Sequence, residues 1–137
     1  MKLLTLTAGL VFAAQAANAQ TTQIECSFTE PFYSIEVDLK KREVTMIEPD
    51  WESDGTKTVT KVIGQNIAVK VLKADPFLPK FQILDGDKSV ILDLTMNMAG
   101  SDGMSNRTYP LEAKHGRMIG GCSTNLIKHV EASEGEG

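Results

Sequence analysis

Large rings and metal-binding side chains are scarce in this sequence: aromatics make up 6% of 137 residues, and cysteine and histidine occur twice each. A core built with so few rings has to be aliphatic. Two cysteines with His115 and His129 offer no obvious full ligand set for a metal ion. Basic residues are the minority charge, 14 against 18 acidic, whereas a nucleic-acid-binding face needs a local basic excess. Past residue 19 no apolar run approaches the roughly 18 residues that cross a bilayer. Catalytic signatures are also missing: there is no G-x-S-x-G, H-E-x-x-H or phosphate-loop pattern. Asp85-Gly86-Asp87 is turn chemistry without the spaced oxygen series of a calcium loop. His115 in a turn and His129 near the end of the chain read as surface histidines. These absences point to a protein that is not an enzyme and uses no cofactor or metal, with no nucleic-acid partner and no stable membrane span in its mature form.

What is present begins with an export signal. Lys2 precedes an apolar run over 3–17, and Ala17-Asn18-Ala19 follows as a small-x-small cleavage site. Residues 1–19 are therefore read as a signal peptide, 20–124 as one β domain and 125–137 as a flexible, acidic tail. Losing one basic and no acidic side chain with the signal takes the net charge from −4 to −5 over the remaining 118 residues. A chain of that size supports one modest core. Cys26 lies seven residues beyond Ala19, too far for lipoprotein processing. The expected location is periplasmic or secreted.

Export changes how Cys26 and Cys122 are read. In an oxidising compartment an even pair is normally a disulfide, and closing about a hundred residues of chain is worth roughly 4 to 5 kcal/mol in the loop-entropy picture. Two buried free thiols, or a metal or redox pair, are the alternatives. The absence of C-x-x-C favours the structural bond.

Periodicity points to strands almost throughout. Ile35, Val37 and Leu39 share one face of 34–39; Ile67, Val69 and Val71 share one face of 66–73; Val90, Leu92 and Leu94 share one face of 89–96. Alternation of this kind belongs to half-buried antiparallel strands. Gly64-Gln65-Asn66, Lys40-Lys41-Arg42, Asp85-Gly86-Asp87-Lys88 and His115-Gly116 are turns. Strands are expected near 23–28, 33–39, 43–48, 57–63, 66–73, 80–84, 89–96, 109–114 and 117–123, with one short helical possibility over 126–130. The fold class is all-β: eight or nine short strands in an antiparallel meander closed as a small β-barrel, with a β-sandwich as the alternative.

Two segments depart from this pattern. In Thr29-Glu30-Pro31-Phe32-Tyr33 a proline interrupts the ladder before two aromatics, which either plug one end of the fold or form a binding patch. The stretch 97–108 is read as a long loop, a length that tends to carry function. It holds two adaptable methionines, Asp102 and Arg107, which either pair across the loop or leave the arginine free for a carboxylate on a partner.

These two segments also carry a resemblance. The chain resembles a family of uncharacterised bacterial envelope proteins marked by an N-terminal Gly-Thr-Glu-Pro-Phe-Trp motif and a C-terminal Cys-Ser-Asp-Gly-Met-Ser-Asp-Arg-x-Tyr-Pro motif with a later Gly-Cys. Here the first reads Thr29-Glu30-Pro31-Phe32-Tyr33. The second reads Gly100-Ser101-Asp102-Gly103-Met104-Ser105-Asn106-Arg107-Thr108-Tyr109-Pro110, with Gly121-Cys122 after it. Tyrosine stands for tryptophan at 33, asparagine for aspartate at 106 and glycine for the motif cysteine at 100. The resemblance implies that the cysteine near the C-terminus is bridged; with Gly100 in the loop position, Cys26 is the thiol left to bond Cys122. Such proteins are similar in class to small β-barrel inhibitors of C-type lysozyme.

The leading expectation is a non-catalytic exported binding or inhibitor-like protein. It would contact an envelope or exogenous protein through the 97–109 segment, with Ser101, Asp102, Ser105, Arg107 and Tyr109 as contact residues and Phe32 and Tyr33 as motif aromatics. A carrier of small hydrophobic ligands, with a pocket under Phe32, Tyr33 and Trp51, is the alternative. An unrecognised envelope hydrolase ranks third.

Overall fold

The computed structural model describes residues 21–29, 32–53, 56–73, 78–128 and 130–131. The expected signal peptide, Glu30 and Pro31, His129 and the last six residues lie outside the described residues. The strands are β1 (Gln23–Thr29), β2 (Phe32–Asp38), β3 (Glu43–Pro49), β4 (Thr58–Gln65), β5 (Ala68–Lys73), β6 (Lys80–Leu84), β7 (Val90–Gly100), β8 (Arg107–His115) and β9 (Met118–Thr124), and burial alternates most cleanly along β1, β2 and β6. A two-residue β10 (Val130–Glu131) pairs with Thr108 and Arg107 of β8. Among the described residues of the helical possibility over 126–130, none is helical. Instead the Thr124 hydroxyl accepts the Leu126 and Ile127 amides in a side-chain-capped turn, and the chain returns to the sheet.

The strands form a single path, β4-β3-β2-β1-β9-β8-β7-β6-β5, with every neighbouring pair antiparallel. This is an all-β antiparallel meander, one continuous sheet and not two stacked ones. Its first and last strands meet at the β1–β9 ladder. There Cys26 lies directly opposite Cys122, with Cα atoms 4.0 Å apart, and the two are bonded. Residues 96 positions apart are thus tied at the centre of the sheet.

Direction alternates along the nine-strand path, so its two ends, β4 and β5, run the same way. Only Asn66 and Ile67 separate them. They are two halves of one bent strand, the first laddered to β3 and the second to β6. Among the described residues the ladder itself does not close into a ring. At the bend, Arg42 on one side holds Ile67 through one backbone and one side-chain bond: the Ile67 amide donates to the Arg42 carbonyl, and the Arg42 side-chain Nε donates to the Ile67 carbonyl. On the other side the Gly86 amide donates to the Gln65 carbonyl, while the Asp85 carboxylate accepts the Gln65 amide.

The core is mainly aliphatic, with Phe28, Tyr33 and Phe81 as its rings. Ile24, Ile35, Val37, Ile83, Leu92 and Leu111 are essentially sealed from solvent, with the disulfide among them. Val90, expected inside, is exposed, and Ile91 is buried next to it because the register shifts between Ile83 and Leu84. Among the described residues no helix is long and apolar enough to cross a membrane.

Candidate functional site

The β7–β8 connection is shorter than the sequence suggests. β7 runs on to Gly100 and β8 begins at Arg107, leaving six residues, 101–106, between them. Alternation fails in this part of β7 because the strand is bulged between Met96 and Gly100. Met98 takes a left-handed φ of 56° there, and the Asn97 side chain accepts the Ala99 amide while donating to Glu112 at 2.9 Å. Gly100 is the position where the motif carries cysteine. Its α-carbon sits so close to β8 that a Cβ would collide with the Leu111 carbonyl, so this backbone has no room for the motif residue.

The 101–106 segment folds back over the sheet face opposite the core. Cys122 points inward, so its neighbour Gly121 faces out, and the Tyr109 ring lies directly on it; a Cβ on Gly121 would overlap the ring. Asp102 sits at the centre of the segment. Its carboxylate accepts the Met104 and Ser105 amides at 2.9 and 2.8 Å, the Ser105 hydroxyl at 2.7 Å and the Tyr109 hydroxyl at 2.9 Å. The Asp102 carbonyl accepts the Thr29 hydroxyl from the end of β1. Gly103, at φ 90°, makes the turn a side chain would strain.

Burial alone would raise the Asp102 pKa, but the four hydrogen bonds from Ser105, Met104 and Tyr109 outweigh it and hold the carboxyl at about 2. Burial, reinforced by the bond to Asp102, pushes the Tyr109 hydroxyl up; hydrogen bonds from Arg107 and Ser27 act in the opposite sense.

The predicted contact residues therefore divide. Asp102 (6% exposed) and Tyr109 (3%) are internal. Ser101, Ser105 and Arg107 are at the surface with Asn106, and Met104 is 67% exposed at the crest. Asp102 closes the segment through Ser105 and Tyr109, and Arg107 joins the network at the Tyr109 hydroxyl. Beside the segment's root, a polar groove of about 360 Å³ runs over β6, β7 and β8 between Lys80, Asp93, Asn97 and Glu112.

The motif aromatics separate by alternation. Tyr33 enters the core and Phe32 faces out; Trp51, in a 3-10 turn after β3, is exposed. The three do not converge on one pocket. His115, expected as an unpositioned surface residue, is half-buried at the end of β8. Its Nδ1 is hydrogen-bonded to the Tyr33 hydroxyl at 2.9 Å, and its ring packs on Phe28, which stacks on Tyr33 at 4.6 Å. Burial pushes the His115 pKa down. Nothing local in the sequence signals this pair, because its partners are 82 positions apart.

Comparison with family models, curated proteins and solved structures returns no match.

Proposed function

We propose that this is a non-catalytic exported binding or inhibitor-like protein of the bacterial envelope, which meets a protein partner through the 97–109 segment. The observation that carries the reading is the division of labour within that segment. A buried carboxylate spends four hydrogen bonds holding a turn whose crest, Met104, is left in water beside Arg107. Fixing an exposed apolar side chain lowers the entropy cost of binding and does nothing for the core. Methionine and arginine are both enriched in the protein interfaces that such a surface would form. The meander is read as a small barrel whose circuit is completed by the bent β4–β5 strand, tied at its other side by the disulfide. Its interior is occupied by Ile35, Ile83, Leu92 and Leu94, which counts against the hydrophobic-ligand carrier.

The test is muralytic activity of lysozymes of each type with and without the purified protein, alongside capture from envelope extract by wild type and by a Met104→Ala/Arg107→Ala variant. Inhibition of one lysozyme type, or a captured protein that the variant loses, is the expected result. No inhibition together with identical captures overturns the reading.

A further inference from the structure

Among the described residues, the bent strand leaves one edge of β5 without a partner: β5 is laddered to β6 on one side and no strand lies on the other. The side chains report the same vacancy. Ile67 and Val69 pack toward the core, but Val71, on the same face, is 43% exposed, and Leu72 on the other face is 48% exposed. An edge with apolar groups on both faces is a template for another strand.

Charge identifies what fits it. Arg42 bonds the carbonyls of Asn66 and Ile67, so the β2–β3 turn is fastened beside the beginning of β5. The two segments 40–42 and 68–73 together carry Lys40, Lys41, Arg42, Lys70 and Lys73 and no acidic residue, in a chain of net charge −4. A notch of about 260 Å³ opens at this corner between Lys41, Arg42, Glu43, Gln65 and Asn66. Glu43 is the carboxylate in its wall, and Asp38 is turned to its own loop, accepting the Lys40 and Lys41 amides. The free edge of β4 differs: Asp50 and Glu52 stand near its start, and Lys61 is paired with Glu48 at 3.1 Å. A lysine or two on an edge would only protect it from self-pairing. The basic turn set beside β5 goes beyond that and repels a second copy of the same edge.

We infer that the free edge of β5, with the 40–42 turn beside it, is a docking site for an extended acidic peptide segment of a partner protein. The peptide adds as a strand along residues 68–73, covers Val71 with its apolar side chains on one face and sets its carboxylates, on the other, against Lys70 and the turn. This surface is separate from the 97–109 segment and does not depend on that segment's role.

The experiment titrates the purified protein with the heptapeptide acetyl-Glu-Val-Glu-Thr-Glu-Val-Glu-amide, with its lysine-for-glutamate counterpart and with vesicles containing phosphatidylglycerol. Affinity is read by fluorescence anisotropy and the site by amide hydrogen exchange. The acidic peptide is expected to bind, more weakly as salt rises, and to protect amides within 68–73 while leaving 58–63 and 101–107 unchanged. A Lys41→Glu/Lys70→Glu variant is expected to lose about tenfold in affinity for it, roughly 1.4 kcal/mol, and to gain affinity for the lysine peptide. Both changes lie on the surface, and an unaltered unfolding midpoint confirms that the variant is folded. Equal affinity for both peptides, no binding at low salt, protection on β4, binding of vesicles without peptide binding, or a dimer that already protects 68–73 would each overturn the inference.

Discussion

The Tyr109 hydroxyl donates to the Asp102 carboxylate at 2.9 Å, on the side of the sheet away from the core. Through this bond the turn after β7 is pinned to β8. Thr29 pins the same turn to β1 from the other side, so a surface segment becomes part of the rigid sheet.

Asp102→Asn removes a carboxylate held at about 2 by hydrogen bonds. Its unfolded-state value is near 3.9, so the charge stabilises the fold by about 2 kcal/mol above that pH, and the contribution is lost as pH falls through about 2. Urea unfolding at pH 7 should show a loss of that size in the variant. Between pH 5 and 2 the wild type should lose more stability than the variant; equal acid sensitivity would contradict the assignment.

Tyr109→Phe keeps the ring on Gly121 and deletes the hydroxyl, leaving Asp102 one donor short. The expected cost is about 1 to 2 kcal/mol. Gly121→Ala should cost about 1 to 3 kcal/mol by a different route, forcing the ring off the sheet. Because both act through Tyr109, the double variant should fall short of the sum of the single ones, as denaturant midpoints will show.

Replacing Cys26 and Cys122 by alanine frees a loop that spans nearly the whole described chain. The loss should be about 4 to 5 kcal/mol, a large part of the stability of a small domain. Thermal melting of the variant, and of the wild type with reductant, checks this. An unchanged midpoint would mean that the β1–β9 ladder holds the sheet without the bond.

Burial lowers the His115 pKa below the usual value near 6.5. Above that pH the histidine is neutral in both states and its environment costs nothing. As pH falls below it, the unfolded chain takes the proton first, so stability declines until the folded pKa is reached. His115→Asn should flatten this part of the profile between pH 7.5 and 5.5, while Tyr33→Phe, which removes only the hydrogen bond at 2.9 Å, should leave the decline in place. Denaturant midpoints across that range decide it.

Where side chains alternate without interruption, the strands were legible: Ile35 and Val37 in β2, and Leu92 and Leu94 in β7, lie inside as their spacing requires. The Cys26–Cys122 bond was legible too, from cysteine count and expected compartment. Periodicity failed where the backbone departs from two-residue repetition. The left-handed Met98 hid four residues of β7 inside an apparent loop, and a register shift exchanged Val90 for Ile91.

The site was legible as a location and not as an arrangement. Asp102, Ser105, Arg107 and Tyr109 could be picked out as a group, but nothing local showed that Asp102 and Tyr109 face inward while Met104 faces out. That depends on Gly121, which is 12 residues past Tyr109 and leaves the bare backbone on which the ring rests.

Local sequence determined the elements, since alternation, turn residues and chain connectivity act over a few positions. Tertiary structure alone decided that β4 and β5 are one bent strand, that His115 meets Tyr33, and that, among the described residues, one edge of β5 stands open beside a basic turn. The physical reason is that these relationships depend on register and sheet curvature accumulated over the whole meander, and no short window of residues carries that information.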